Sequence, residues 1–528
     1  MDKADRSKLL EVTMSESGKQ EGYVSLLSGS GIVVIGLAIH LVITMVTEAL
    51  VARHLGPVEY GLISWSVMLL NVLSMISGLG LNTAARRFVP IFVQQADWAS
   101  LRGSLILTSL LTAGGGVVGC AAFLVGAESL SFAIFDNARL SQILTILAFA
   151  VPFWSLQKIF IGLAAGFKYP GVKVVMDDLV VPMGLLGVVT VAIVFDLREL
   201  GITVGYAFVY VISAVVSGIT IAKRTAWVWF APIVPRYHVR RILDFSWPLI
   251  FTEPLVKCTG LIDILIVGGF ASAQDVGTYR VASDLAVIIS FVLMCFSFMY
   301  LPVISGFVGA QDRVQWGEMN ARVAHWSMLL SFPIFAVLFF FPEHVISIVY
   351  GSQYGQAASV LRILAVAYFG HTIVGFTAVN LVAAGLTRIH FVILWGSLAI
   401  NIVTCSLLIP RLGIVGAAIG SLLSLWALNG LSLLVMYWRL GIHPFKISYG
   451  LNLAALLVIG TMGWYLLRMR EFAPEGVALG LFILFCLASM IVLFRLGALI
   501  DVADRHLIQT VVADLVSRFR SREQTYHA

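Results

Sequence analysis

The chain has 528 residues, of which 59% are hydrophobic and only 12% charged, with a mean hydropathy of +0.96. A soluble domain averages about 25% charged residues, so half that share excludes a surface built for water and makes lipid the main solvent. The net charge of +6 does not require a nucleic-acid partner, because basic residues gathered in cytoplasmic loops give the same balance. Cys120, Cys258, Cys295, Cys405 and Cys486 fall singly inside apolar runs, a pattern that points to neither a disulfide framework nor a zinc site.

Residues 1–30 are polar and charged, and no cleaved signal peptide is expected there. Beyond them, about fourteen apolar runs are long enough to cross a bilayer as helices. Their spans are 31–52, 61–81, 104–126, 142–166, 174–195, 202–222, 246–270, 281–304, 323–342, 359–383, 390–410, 414–437, 449–467 and 477–496. The run at 174–195 is the weakest, since Asp177, Asp178 and Pro182 interrupt its start. Lys and Arg concentrate on one side when both termini are cytoplasmic, leaving only Arg53, Arg139, Arg198, Arg280, Arg411, Arg468 and Arg470 outside. The resulting plan is a cytoplasmic segment 1–30, a first six-helix lobe 31–222, a basic linker 223–244 with Pro232 and Pro235, and a second lobe 245–437. Two further helices occupy 438–496, and a cytoplasmic tail 497–528 carries apolar residues and Arg at helical spacing, an amphipathic helix or a disordered end. The loops are too short to fold a soluble catalytic domain.

Two stretches repeat. His54-Leu55-Gly56-Pro57-Val58-Glu59-Tyr60-Gly61 and Phe270-Ala271-Ser272-Ala273-Gln274-Asp275-Val276-Gly277 each close one apolar helix and open the next, with an acid two places before a Gly. A second echo pairs Leu200-Gly201-Ile202-Thr203-Val204-Gly205 with Leu412-Gly413-Ile414-Val415-Gly416. Duplication in an apolar chain predicts two helical lobes around a central site, the architecture of a secondary transporter. Gly115 with Gly119, Gly162 with Gly166, Gly201 with Gly205 and Gly416 with Gly420 have the small-residue spacing that lets helices approach closely.

No metalloprotease, serine-hydrolase or phosphate-loop signature occurs, so no catalytic residue and no metal site are predicted. Asp177-Asp178 resembles a metal-binding pair, but with Lys168 and Lys173 close by an ion-paired helix end is favoured. Charges inside spanning helices cost roughly 2.5–3.5 kcal/mol each on insertion scales and are therefore functional candidates. The seventh helix holds Glu253, Lys257 and Asp263; Glu253 and Lys257 stand one turn apart, as a salt bridge or as a switch that an anion would open. Glu48, Lys158, Asp284, Arg362 and His371 complete the set, with His40 and His371 read as hydrogen-bonded core histidines. Arg86 and Arg87 end the second helix, where inner-face anchoring and phosphate binding explain them about equally. Arg53 and Arg280 lie near the outer face against the charge rule, as cations for an anionic substrate or as snorkelling side chains.

The blocks Ala52-Arg53-His54-Leu55-Gly56-Pro57-Val58-Glu59-Tyr60-Gly61, Asp263-Ile264-Leu265-Ile266-Val267-Gly268-Gly269-Phe270 and Ile409-Pro410-Arg411-Leu412-Gly413-Ile414-Val415-Gly416 occur in an order and spacing that resembles the Wzx-type polysaccharide flippases of the multidrug/oligosaccharidyl-lipid/polysaccharide exporter superfamily. The resemblance implies an all-α integral membrane protein of the cytoplasmic membrane, with two six-helix lobes in a V and two added helices. It also implies alternating access that carries a polyprenyl-diphosphate-linked oligosaccharide outward, driven by H+ or Na+ and needing no other cofactor. By position, Lys257, Arg53, Arg280, Lys158 and Arg87 are the expected substrate-binding cations, and Glu253, Asp263, Asp284 and Glu48 the expected ion-coupling groups. Expected partners are the lipid-linked glycan, the bilayer, and the polymerase and chain-length proteins of the same pathway. Rival readings are a cation-coupled multidrug exporter, a peptidoglycan-precursor flippase, and a membrane glycan polymerase or ligase, the last disfavoured by the short outer loops.

Overall fold

The computed structural model describes residues 36–229, 232–247, 249–250, 262–309, 311–445, 447–469 and 475–495. Among them there is no strand. Ten helices are long and apolar enough to cross a membrane, and a bent pair makes an eleventh span; Tyr449–Tyr465 and Leu479–Met490 are shorter apolar helices. The fourteen predicted spans are therefore not all matched one for one, and part of the run at 246–270 lies outside the described residues.

The first hairpin shows why its sequence turns where it does. Helix α1 (Gly36–Leu55) stops at Gly56, whose φ of 84° suits a residue without a side chain, and Pro57 opens α2 (Pro57–Ser77) at a position needing no backbone donor. Glu59 sits in the first turn of α2, where the helix dipole favours an acid. The second hairpin reaches the same end by other chemistry. Helix α10 (Ile262–Phe270) leads to α11 (Ala273–Val287), where Ser272 caps Asp275 N at 3.2 Å and the Asp275 carboxylate accepts from Ser272 N at 3.1 Å. The repeated acid is thus a helix-opening device in both copies.

The predicted end of the second helix at 81 is corrected. Leu79 and Gly80 adopt left-handed backbone (φ 52° and 65°), which breaks the helix, and α3 (Leu81–Gln94) then carries the chain onward. Arg86 and Arg87 consequently lie within a helix and do not terminate one. Helix α4 (Trp98–Ile134) follows and packs its glycines closely: Gly115 and Gly119 lie against Ser77, and Gly116 against Pro152. Helices α5 (Ala138–Ala148) and α6 (Ala150–Gly166) form one span bent by 41°. Helix α7 (Gly171–Val194) contains a π-helical stretch, Val174–Val180, and α8 (Glu199–Arg224) closes the first half.

At the end of the linker, a short helix α9 (Val239–Ser246) precedes the second half. That half continues through α12 (Phe291–Gly309), α13 (Arg313–Phe340), α14 (Pro342–Val349), α15 (Ala357–Val374), α16 (Thr377–Ala383), α17 (Thr387–Leu412) and α18 (Ile414–Leu440). The run expected at 359–383 is broken at Gly375, whose φ of 71° separates α15 from α16. Helices α19 (Ile447–Met469) and α20 (Glu475–Arg495) come last.

The buried core explains how the halves meet. One cluster contains residues of both halves, from Val51, Tyr60 and Trp65 to Val276, Tyr279 and Leu361. A second cluster, around Leu81, Phe88 and Leu105, belongs to the first half alone, and a third, around Tyr300, Trp316 and Met436, to the second half alone. The halves therefore share a core at the end bearing the two hairpins and have separate cores at the other end. That arrangement agrees with the V implied by the resemblance.

Candidate functional site

The apex of the V is the contact of α2 with α11, and the repeated glycines make it. A Cβ on Gly61 would lie 1.8 Å from the Ala273 carbonyl oxygen, and one on Gly277 would lie 2.2 Å from that of Pro57. No side chain fits at either place, so the two copies of the motif cross backbone to backbone.

One turn further in, four candidate groups from both halves converge. The Arg280 guanidinium, on α11, lies 3.0 Å from Asp284 on its own helix and 3.5 Å from Glu48 on α1. The buried Tyr60 hydroxyl, on α2, lies 3.0 Å from Glu48 and 3.2 Å from Asp284, so its one proton is shared between the two carboxylates. Arg280 is therefore not in the connection ahead of the helix, where the span expected at 281–304 left it; it stands two turns into α11 with a side chain 19% exposed. With all three charged, two carboxylates against one guanidinium leave the cluster negative by one. Such a cluster holds its charges in a low-dielectric site only while the pairs are intact. The buried Tyr350 hydroxyl lies within electrostatic reach of the cluster and has no hydrogen-bond partner among the described residues.

A third carboxylate is buried nearby. Asp263 on α10 accepts from Ser421 Oγ at 2.6 Å and from the Tyr279 hydroxyl at 3.1 Å, with the Asn401 side chain beside it. Among the described residues no Lys, Arg or His lies at ion-pair distance from it. Among the described residues its stabilising groups are hydroxyl and amide dipoles, which a buried carboxylate needs in place of water.

Arg53 has a different task from the one expected. Its guanidinium donates to the carbonyls of Ile348 and Val349, at the C-terminal end of α14 in the other half. The Tyr354 hydroxyl returns the contact by donating to the Ala52 carbonyl at 2.9 Å. Arg53 is thus a clasp between halves. Lys158 on α6 reaches Asp177 at 2.8 Å, while Lys173 reaches Asp178 at 3.2 Å. The π-helix explains the split: its i→i+5 register stacks Lys173 beneath Asp178 and turns Asp177 toward α6. The ion-paired reading of Asp177-Asp178 thus holds, with Lys158 in the place expected for Lys168. The stacked rings of Trp154 and Tyr210, centroids 4.1 Å apart, stand one turn from Lys158. Arg362 pairs with Glu343 at 2.8 Å, and His371 is a core histidine bonded to Asn429 at 3.0 Å. Lys257 and Glu253 lie outside the described residues. Among those described, no group of acidic, His and Cys side chains is arranged to hold a metal.

A family model for polysaccharide biosynthesis proteins matches residues 50–359. The chain belongs to that family. The match runs from Leu50 at the end of α1 to Ser359 at the start of α15, and so includes both hairpins, the crossing and every member of the charged cluster except Glu48. Among curated relatives, the probable low-salt glycan biosynthesis flippase of Haloferax volcanii is 30% identical over 165 residues, which is 31% of this chain and only 34% of that protein's length. An uncharacterized membrane protein of Methanocaldococcus jannaschii is 22% identical over 74% of this chain and 81% of its own. Among solved structures, the lipid II flippase MurJ in an inward closed conformation superposes with a TM-score of 0.70 at 14% identity, covering 90% of this chain and 99% of that one. An inward-facing multidrug resistance MATE family transporter of the MOP superfamily gives 0.64 at 13% identity, covering 76% and 94%. Identities this low establish the fold alone, which is similar to that of these two proteins.

Sequence reasoning found Arg280, Glu48 and Asp284 singly and missed that they form one site. It missed Tyr60 and Tyr350 altogether, because a tyrosine in an apolar run carries no signal until its neighbours are known.

Proposed function

We propose that this protein is a carrier, not an enzyme, that moves a polyprenyl-diphosphate-linked oligosaccharide across the cytoplasmic membrane by alternating access. The observation that supports this best is the cluster of Arg280, Asp284, Glu48 and Tyr60, in which both halves contribute to one buried charge site just inside the closed apex. The hairpin end is then the outer face, both termini are cytoplasmic, and the cargo enters from the open end. In this scheme the diphosphate draws Arg280 from its carboxylates, which loosens the tie between the halves and favours opening of the apex. Lys158, held by Asp177, is a second cation available by the same exchange. Asp263 is the ion-coupling group for H+ or Na+, since it is buried without a cationic partner among the described residues. The polymerase and chain-length proteins of the same pathway would take the product.

Reconstitution tests the reading. Vesicles holding the purified protein should transfer a labelled prenyl-diphosphate oligosaccharide between leaflets under an H+ or Na+ gradient, and Arg280→Ala, reconstituted at equal folded protein per vesicle, should abolish the transfer. Transfer of cationic drugs instead would favour the multidrug exporter, and transfer restricted to lipid-linked peptidoglycan precursor would favour that flippase. No glycan-lipid transfer under any gradient overturns the proposal.

A further inference from the structure

At the open end, two arginines stand on one aromatic step. The Arg87 guanidinium carbon of α3 lies 4.4 Å from the ring centre of Phe245 and 5.8 Å from that of Phe88. Arg241 of α9 lies 5.4 Å from the same Phe88 ring. Phe88 and Phe245 meet edge to face at 5.5 Å, so α3 and α9 are joined through these rings. Both arginines are exposed, and among the described residues no carboxylate pairs with either; Asp244, on the same short helix, is taken by Arg240 at 3.7 Å. A guanidinium lying over a ring keeps its edge donors directed outward. Two like charges around one ring repel each other, and an anion accepting from both relieves the repulsion.

The surroundings indicate what kind of anion. On α9, Ile242 and Ser246 are buried against the first half, whereas Val239, Leu243 and, at its C-cap, Trp247, each four residues apart, remain 42%, 37% and 64% exposed. An apolar stripe ending in Trp beside exposed Arg is the pattern of a helix lying in the membrane interface. The linker is held in place there. The Arg236 amide donates to the Ala99 carbonyl at 2.9 Å, His238 stacks on Phe92 and reaches Ser100 at 2.8 Å, and Gly80, in the break between α2 and α3, seats Ser246 and Leu249. The step is therefore fixed to the first half, at the linker that leads into the second.

We infer that Arg87 and Arg241, set on Phe88 and Phe245, form a docking site for the diphosphate of a membrane-anchored prenyl diphosphate as it approaches the open end. The inference rests on the carrier reading above and adds to it the place where cargo is first captured. A capture site acts on the rate of association and on its dependence on salt. With protein in phosphatidylcholine nanodiscs and a fluorescent prenyl diphosphate as probe, the double variant Arg87→Gln/Arg241→Gln should associate roughly tenfold more slowly at low salt and lose most of the salt dependence. Its dissociation rate should change little. Phe245→Leu, which keeps both charges but removes one ring, should fall between. Arg388→Gln, which removes an exposed charge from the first turn of α17, should match the wild type. Equal slowing by Arg388→Gln, or no slowing in the double variant, overturns the site. Phosphatidylglycerol at equal concentration should not compete; if it competes as well as the probe, the step reads any lipid phosphate and the assignment to cargo fails. Inorganic pyrophosphate should compete weakly, and tight binding of it would remove the requirement for a lipid anchor. A wild type that does not bind the prenyl diphosphate at all overturns the carrier reading along with this one.

Discussion

The two ends of the bundle use arginine in opposite ways. At the closed end, Arg53 is held by carbonyls of the other half and Arg280 by two carboxylates, so every donor that matters already has an acceptor within the protein. At the open end, Arg87 and Arg241 rest on rings and keep their charges unneutralised by any described carboxylate. Availability to a ligand is thus decided by what a cation already touches. The same comparison separates a fastening from a receptor: closed-end arginines must be released before they can bind anything, whereas open-end arginines can bind at once.

The comparison can be broken at several strengths. The largest effect is expected from Gly277→Leu, because even a Cβ there would meet the Pro57 carbonyl at 2.2 Å. Export should be lost, with much of the protein failing to fold or the apex held apart, as read by fluorescence-detected size exclusion and glycan export. Next comes Arg280→Ala, which strands two carboxylates near each other and should cost about 3 kcal/mol of stability, with partial recovery in Arg280→Ala/Asp284→Ala. Thermal unfolding in detergent checks both. Tyr60→Phe removes a hydroxyl bonded to both carboxylates and should cost about 1–2 kcal/mol in the same assay.

The smallest effect belongs to the open end. Asp97 caps α4, and its bonds to the Ser100 hydroxyl and amide hold its carboxyl below the ordinary range. A depressed value means that the ionised form is favoured by folding. The contribution is therefore present above the ordinary carboxylate range and lost as pH falls through the lowered value. Asp97→Ala should cost about 1 kcal/mol near neutral pH and flatten the acid side of the unfolding profile.

Much of the architecture was legible because it rests on patterns that one chain can show. Apolar length gave most spans, and the echo between Gly61 and Gly277 was legible as a duplication, although their backbone crossing was not. The acid two places before each glycine was legible as a repeat, but its role as a helix-opening residue was not. What stayed hidden depends on partners distant in sequence. Arg53 finds its acceptors almost three hundred positions away, and nothing local to either segment announces that bond. The π-helical register between Lys173 and Asp178 is invisible to a reading at 3.6 residues per turn. Arg280 was placed too near the surface because the second helix of its hairpin was expected to begin at 281, whereas α11 begins at Ala273. Lys257 and Glu253, which the sequence placed among the candidate groups, lie outside the described residues.

The central claim is that the apex joined by the two hairpins must part for cargo to leave. In a variant free of native cysteines, Arg53→Cys and Gln353→Cys place thiols on opposite halves, where Gln353 reaches the Ala52 carbonyl at 3.3 Å. Bridging them with a short reducible reagent should stop leaflet transfer of the prenyl-diphosphate oligosaccharide in vesicles, and reduction should restore it. Transfer that continues undiminished with the bridge in place would contradict the account.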